Sequence, residues 1–461
     1  METRLEHDSL GNQEIPNNVL YGVQTQRAID NFPISGVTIS SYPHLIRSLA
    51  YVKKAAAHAN MDVGVLPKDI GMAISRACDD LLEGKYHDQF PVDLIQGGAG
   101  TSTNMNANEV IANIALGYLG HKRGQYEFCH PNDHVNLSQS TNDAYPTAVH
   151  LALYLESDEL IESIQELIDS LSAKAKEFSS ILKMGRTQLQ DAMPMTLGQE
   201  FASYAVSLKK ELVSLQRVKR ELCEMNMGGT AIGTQLNAPE GYVEAVRKYL
   251  AQFSSVPFTT AEDLVHATQD TGVFVQLSGA LKSLAVRLSK TCNDLRLLSS
   301  GPRAGLSEIN LPAMQPGSSI MPGKVNPVIP EVVNQVCFLV IGHDVTVTFA
   351  SEAGQLELNV MEPTIVYVLH DSIRVLANAC RVLARRCVSG ITANEQACRR
   401  FVDRSIGVVT ALAPKLGYEK AAAVAKKAQQ TGKGVAEIIL EEKYLTEDEL
   451  KALLRPEAMV K

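Results

Sequence analysis

Leu160, Ile161, Ile164, Leu167, Ile168 and Leu171 recur at intervals of three and four, the spacing that lines up one face of an α-helix. Leu277, Leu281, Leu284, Leu288 and Leu295 do the same within a segment from about 262 to 299. Other long segments run over roughly 193–227, 328–352 and 358–388. Helices of around thirty residues reach about 45 Å at ~1.5 Å per residue. Five of that length present more apolar face than one copy of the chain readily covers. The pattern predicts a mainly α protein, a central long-helix bundle completed by other copies of the chain. Within 328–352, Val345-Thr346-Val347-Thr348 favours strand locally, but the length of the run and its lack of turn signals favour a buried helix.

The remaining chain is shorter-ranged. Residues 1–41 are polar and turn-rich, with breakers at Leu10-Gly11-Asn12 and Ile15-Pro16-Asn17-Asn18. Helical periodicity runs from Pro43 to about Gly84, interrupted at Val65-Leu66-Pro67, and a further helix spans about Met105–Gly117. After Gly390 the helices shorten to Thr392–Arg404, Tyr418–Thr431, Gly434–Glu442 and Thr446–Leu454. The last opens on a capping box, Thr446 with Glu449. A length of 461 residues has room for about three domains. The expected division is an N-terminal domain at 1–136, the central helical bundle at 137–389 and a small helical domain at 390–461.

Composition narrows the function classes. A net charge of −8 without any Lys/Arg block excludes a nucleic-acid footprint, since Arg385-Arg386 and Arg399-Arg400 are only pairs. The amino terminus lacks a signal peptide's apolar core, and no apolar run is read as approaching membrane-spanning length. The eight cysteines form no C-x-x-C pair, and nothing near Cys129-His130 completes a zinc set. Cys78, Cys292 and Cys380 sit among apolar helical residues and read as small core side chains. These features predict a cytoplasmic protein with no membrane partner and no metal-ligand cluster.

The chemistry is carried by polar loops. Gly317-Ser318-Ser319-Ile320-Met321-Pro322-Gly323-Lys324-Val325-Asn326-Pro327 packs two hydroxyls, an ammonium and an amide among glycines and prolines. Asn326 and Pro327 read as N-cap and first position of the following helix, so Lys324 lies near its positive end, where a carboxylate is favoured. Three further loops are Gly100-Thr101-Ser102-Thr103-Asn104, Ser138-Gln139-Ser140-Thr141-Asn142-Asp143 and Gly185-Arg186-Thr187-Gln188-Leu189-Gln190-Asp191-Ala192-Met193-Pro194. The last reads as a turn between two long helices, which Arg186 ties through a carboxylate. Singly, capping and turn formation explain each loop. Together they supply many neutral donors and one cation, Lys324, which suits a bound anion. No phosphate loop, ionised triad or catalytic carboxylate pair is present. Such a site suits proton abstraction beside a carboxylate, with donors aimed at the charge that develops. A serine serves as the base only when a cation, backbone N–H groups and exclusion of water stabilise its alkoxide.

These loops also carry a resemblance. The 317–327 stretch resembles the GSSxMPxKxNP signature of the fumarase/aspartase superfamily, whose members cleave C–N or C–O bonds to release fumarate. Tyr21-Gly22-Val23-Gln24-Thr25-Gln26-Arg27, Gln96-Gly97-Gly98-Ala99-Gly100-Thr101-Ser102, Asn132-Asp133-His134-Val135-Asn136 and Gly390-Ile391-Thr392-Ala393-Asn394 extend the likeness over essentially the whole chain. It implies a three-domain fold, a homotetramer with a shared core of twenty helices, and active sites drawn from three subunits. It implies Ser318 as catalytic base. Thr101, Ser140, Thr141 and Ser319 would bind the β-carboxylate, and Thr187, Lys324 and Asn326 the α-carboxylate. Asn142 and Thr101 would face the ammonium.

One position departs from the common pattern. Fumarases and many relatives carry histidine where this chain has Gln188. A leaving hydroxide needs a proton, whereas an α-ammonium leaves as neutral ammonia, so Gln188 favours the ammonia-releasing branch and can orient the amino group. The implied reaction is deamination of L-aspartate to fumarate without an organic cofactor, with Mg²⁺ as an activator at alkaline pH. A fumarase, a lyase for a larger succinyl substrate such as argininosuccinate, and a non-catalytic structural homologue are the alternatives.

Overall fold

The computed structural model describes residues 2–454; residues 455–461 of the expected C-terminal domain lie outside them. The chain opens on a hairpin, β1 (Thr3–Asp8) against β2 (Gly11–Pro16), with Asp8 opposite Gly11. Asp8 Oδ1 accepts the Leu10 N–H at 2.9 Å, closing the turn. Helix α1 (Val23–Asn31) follows, so the segment read as turn-rich already holds regular structure. Then come α2 (Pro43–Asp62), α3 (Lys68–Leu82), α4 (Thr101–Tyr118) and α5 (Thr141–Glu177). Strands β3 (Leu182–Thr187) and β4 (Gln190–Thr196) lead into α6 (Leu197–Glu221), β5 (Glu224–Met225) and α7 (Tyr242–Ser254). Next are β6 (Thr259–Thr260), α8 (Leu264–Gln269), α9 (Gly272–Leu298), β7 (Ile309–Asn310), α10 (Val328–Glu352) and α11 (Glu362–Arg386). The chain ends with β8 (Thr392–Ala393) and the short helices α12 (Glu395–Arg404), α13 (Val408–Leu416), α14 (Tyr418–Thr431), α15 (Val435–Glu441) and α16 (Glu447–Leu453).

The protein is mainly α, and five long helices, α5, α6, α9, α10 and α11, stand where the periodicity predicts them. Val345–Thr348 is helical, because a 25-residue helix overrides a four-residue strand preference. The run from 262 to 299 is two helices instead of one. They part at Asp270-Thr271, where the Asp270 carboxylate accepts the Gly272 N–H at 3.0 Å. The turn expected at 185–194 is a β-hairpin. The reading that no apolar run approaches membrane length is also corrected. By length and composition Val328–Glu352 qualifies, with 33% of its most apolar window buried within the chain. Its only Asp or Glu residues are Glu331, Asp344 and Glu352, which leaves most of its circumference apolar.

The chain divides into two compact units. The first comprises the residues up to Ile161, Val213–Ser283 and Leu339–Val375; there α2 packs against α3 and α7, and α3 against α4. The second comprises Glu162–Leu212, Leu284–Phe338 and the chain from Leu376. In it the terminal helices close over the β3–β4 hairpin, with Leu182, Met184, Val402, Leu412, Val424 and Ile438 in one buried core. The Thr446 capping box forms as expected, its hydroxyl accepting the Glu449 N–H.

Candidate active site

In the first unit, two of the polar loops are the starts of helices. Gly100 stands at φ 87 ahead of α4, and a Cβ there would overlap the Tyr145 ring, so the first turn of α4 lies directly against α5. Thr101 begins α4 and Thr141 begins α5. The positive dipole ends of both helices favour an anion. One turn beyond Thr101, Asn104 Nδ2 donates to Thr141 Oγ1 at 3.0 Å and to Asn136 Oδ1 at 3.2 Å. With its oxygen accepting, the Thr141 hydroxyl keeps its own proton for another acceptor. The Thr101 hydroxyl donates to Gly98 O at 2.7 Å, and Ser140 Oγ accepts the Asn142 N–H at 3.2 Å. A cavity of about 930 Å³ opens beside Thr101 and Ser102.

Beneath these residues lie two buried ionisable groups, Asp143 and Lys53, that feel each other's charge without forming an ion pair. Asp143 Oδ1 accepts the Ser140 N–H at 2.9 Å, and Oδ2 accepts the N–H groups of Gly228 and Thr230 at 3.0 Å each. Burial pushes the Asp143 carboxyl up to about 6, while those hydrogen bonds and the Lys53 charge pull it down. Lys53 is itself wholly buried, donating to Asn136 Oδ1 at 2.8 Å and Gln139 Oε1 at 2.9 Å. Burial lowers its ammonium to about 7 against the opposing field of Asp143.

Pro146 adds a further constraint. It lies inside α5 and has no N–H for the carbonyl of Asn142, four residues back. Asn226 Nδ2 supplies the missing bond at 2.9 Å, and Asn142 Nδ2 in turn donates to Ala231 O at 2.8 Å.

In the second unit, Thr187 ends β3 and pairs with Gln190. The two residues between them, Gln188 and Leu189, stand at φ 54 and 62. A two-residue hairpin loop requires this left-handed backbone and is usually filled by Asn-Gly. Non-glycine residues there cost about 1–2 kcal/mol each. Deeply buried ion pairs hold the strand. Lys183 Nζ contacts Glu200 at 2.5 Å and Glu308 at 2.9 Å, and Arg186 meets Glu308 at 2.8 Å. Arg186 thus does tie its segment through a carboxylate, and its guanidinium also lies 5.1 Å from the Phe401 ring centre.

The 317–327 loop closes on itself. Asn326 Nδ2 donates to Gly317 O at 2.7 Å, and a Cβ on Gly317 would overlap the Lys324 carbonyl. Asn326 is therefore a clasp, not the expected N-cap, and α10 begins at Val328 with Glu331 N bonded to Pro327 O. Ser318 Oγ accepts the N–H groups of Ile320 at 3.2 Å and Met321 at 3.0 Å. Ser319 and Lys324 are exposed, and no described residue forms an ion pair with the Lys324 ammonium.

Of the residues singled out in the sequence, Thr101, Ser140, Thr141 and Asn142 gather in the first unit, linked through Asn104, Asn136 and Asp143. Thr187, Gln188, Ser318, Ser319, Lys324 and Asn326 belong to the second. Sequence reasoning missed Lys53 and Asn226, and gave Asn104 and Asn136, though quoted, no role of their own. The available signal was Asn104, Asn106 and Asn108 at alternate positions of α4, all buried where apolar side chains are the rule. Among the described residues no group of three His, Cys, Asp or Glu has metal-ligating spacing, so nothing here fits a built Mg²⁺ site.

Comparison with known proteins gives one family. The family described as Lyase matches residues 11–342, and Fumarase C C-terminus matches residues 408–461. The aspartate ammonia-lyase of Helicobacter pylori is 56% identical over 457 residues, covering 99% of this chain and 98% of that protein. That of Pseudomonas aeruginosa is 57% identical over 459 residues, covering 99% and 97%. A fumarate lyase:delta crystallin from Brucella melitensis, solved bound to cobalt, matches with a TM-score of 0.97 and 53% identity, covering 99% of each chain. A class II fumarase from Schistosoma mansoni matches at 0.93 with 36% identity, covering 99% of this chain and 98% of its own.

Proposed function

We propose that this chain, which belongs to the fumarase/aspartase superfamily of lyases, is an aspartate ammonia-lyase, a carbon–nitrogen lyase that converts L-aspartate reversibly to fumarate and ammonia. The observation that carries the mechanism is Ser318 Oγ, which accepts two backbone N–H groups. An alkoxide in that position is stabilised by both dipoles. The Ser318 alkoxide takes the proton from Cβ, and the freed electron pair moves into the β-carboxylate as an aci-carboxylate dianion. When that pair returns, the carbon–carbon double bond forms and the C–N bond breaks, its electrons leaving on neutral ammonia. Thr101, Ser140, Thr141 and Ser319 receive the β-carboxylate, and the orientation of the Thr141 hydroxyl by Asn104 supports that role. Thr187, Lys324 and Asn326 receive the α-carboxylate, with Lys324 free of any described counter-ion. Asn142 and Thr101 face the ammonium, and Gln188 orients it without supplying an acid. No organic cofactor takes part, and Mg²⁺ enters only as an activator at alkaline pH.

The reading extends to a homotetramer whose sites draw loops from three copies. Apolar residues left exposed on the long helices at heptad or hendecad intervals support it. They are Val206 and Val213 on α6, Val275, Val286 and Leu297 on α9, and Phe338 and Phe349 on α10. Placement in the cytoplasm is supported by eight cysteines that are all free and buried.

The test offers L-aspartate and malate separately and follows the ultraviolet absorbance of the unsaturated product. Aspartate is expected to react; product from malate but not from aspartate ends the proposal. Solution mass tests the assembly, with four copies of a 50.1 kDa chain expected.

A further inference from the structure

Glu362, in the first turn of α11, is 5% exposed, and no described residue gives its carboxyl a hydrogen bond or an ion pair. Burial alone acts on it and pushes it up to about 8. A carboxylate in the first helical turn gains from the dipole, but that gain is small beside the cost of burying an unpaired charge. The side chain lines a cavity of about 70 Å³ in the first unit, room for one or two water-sized groups. Thr147 and Asn226 are in its wall, with Thr147 Oγ1 donating to Asn226 Oδ1 at 3.3 Å. Glu221, Glu224 and Asp270, all exposed, also line it, as do His150 and His266, and no lysine or arginine is among the described lining residues. A buried carboxyl without a partner, in a cavity that three further carboxylates line, is a place for positive charge.

The ligand spacing argues against a divalent metal, since the described residues form no group that could hold one. We propose that the cavity lined by Glu362, Thr147 and Asn226 is a binding site for a small monovalent cation, either ammonium or potassium. The cation supplies the charge partner Glu362 lacks, and the oxygens of Thr147 and Asn226 complete its shell. The site adjoins the candidate active site, because the same Asn226 side chain holds the Asn142 carbonyl at 2.9 Å. It stands whether or not the reaction proposed above is the right one.

Binding competes with protonation of Glu362, so it strengthens as pH rises through about 8. The other titratable groups around it are Tyr145 and His150 on α5, Glu221, Glu224, His266 and Asp270.

The test uses the assembled full-length protein in choline chloride, whose cation is too large for the cavity. Replacing choline by ammonium or potassium at constant ionic strength is expected to raise the thermal midpoint at pH 9 by about 2 °C or more. The rise shrinks towards pH 6. Glu362→Gln abolishes it, whereas His266→Gln leaves it and its pH dependence in place. Crystals soaked in rubidium, which scatters anomalously, are expected to show a peak in the cavity, so a Glu362 variant that fails to fold leaves the question decidable. A larger response to ammonium than to potassium, or the reverse, identifies the preferred occupant. No rise at pH 9, an equal rise in Glu362→Gln, or a cavity without an anomalous peak overturns the proposal.

Discussion

Ser318 Oγ lies 3.0 Å from the backbone nitrogen of Met321, three residues on, and accepts its hydrogen. The Ile320 N–H points at the same oxygen from 3.2 Å. A serine hydroxyl is a weak base in water, and two fixed dipoles aimed at its oxygen lower the cost of removing its proton. Ser318→Ala should keep the fold and bind a dicarboxylate, yet turn over at least roughly a hundredfold more slowly. Absorbance of the unsaturated product, with calorimetry of dicarboxylate binding alongside, checks this. Unchanged turnover would remove Ser318 from its role.

The clasp at the base of that loop gives a second expectation. A side chain on Gly317 meets the Lys324 carbonyl, so Gly317→Ala must open the loop that Asn326 closes. Because the loop is largely exposed, the thermal midpoint should move by less than about 3 °C. Turnover should fall by about tenfold or more, as expected when catalytic groups are misplaced. Normal turnover in Gly317→Ala would show that the closed geometry is dispensable.

Asn226 can be tested through stability. Its amide takes the hydrogen-bonding place left vacant by Pro146, and Asn226→Leu leaves the Asn142 carbonyl without that donor. The expected loss is about 1–3 kcal/mol in denaturant unfolding. Asn226→Gln, which retains an amide, should lose less.

The Lys53 ammonium fixes a pH dependence. Its folded value near 7 lies below the unfolded value of about 10.4, so between those limits the unfolded chain holds a proton that the folded chain does not. Stability from this group is full above the unfolded value and lost as pH falls through about 7. The slope reaches at most about 1.4 kcal/mol per pH unit. Asp143, raised to about 6, acts in the opposite sense, losing stability as pH rises from its unfolded value to about 6. Lys53→Met should therefore flatten the alkaline rise in thermal midpoint and push Asp143 higher still. An unaltered profile from pH 7 to 10 would contradict the assignment.

The hairpin loop offers a stabilising change. Leu189 stands at φ 62 and the residue is 69% exposed, so Leu189→Gly relieves backbone strain while giving up little packing. After allowance for the extra freedom of glycine in the unfolded chain, a gain of about 0.5–1 kcal/mol is expected, with turnover retained. Gln188→Gly should relieve similar strain but raise KM, because that side chain is proposed to meet the substrate. Equal kinetics in the two variants would separate Gln188 from substrate binding.

Much of the fold was legible because its signals are local. Helix α14 begins at Tyr418 and ends at Thr431 as read, bracketed by Gly417 and Gly432. The Thr446–Glu449 box forms where its spacing places it. The β3–β4 hairpin was not legible: Gln188-Leu189 is not a pair that favours its turn, and the strand is held by Lys183 and Arg186 meeting Glu308, more than a hundred residues away in sequence. Asn326 followed by proline satisfies the local rule for a helix cap, yet α10 starts at Val328, no described N–H bonds the Asn326 side-chain oxygen, and its amide nitrogen donates to the Gly317 carbonyl.

The amino-acid sequence by itself determined the helical character, the five long apolar segments and the set of hydroxyl, amide and ammonium groups available for binding an anion. Those follow from side-chain periodicity and residue type, which act over a few positions. Tertiary structure alone decided which partner each polar group takes: Asn226 for the carbonyl freed by Pro146, Asn104 for Thr141, and none among the described residues for Glu362. Hydrogen bonding and desolvation depend on what the folded chain brings within about 3 Å and what it hides from water. Neither can be read along the chain.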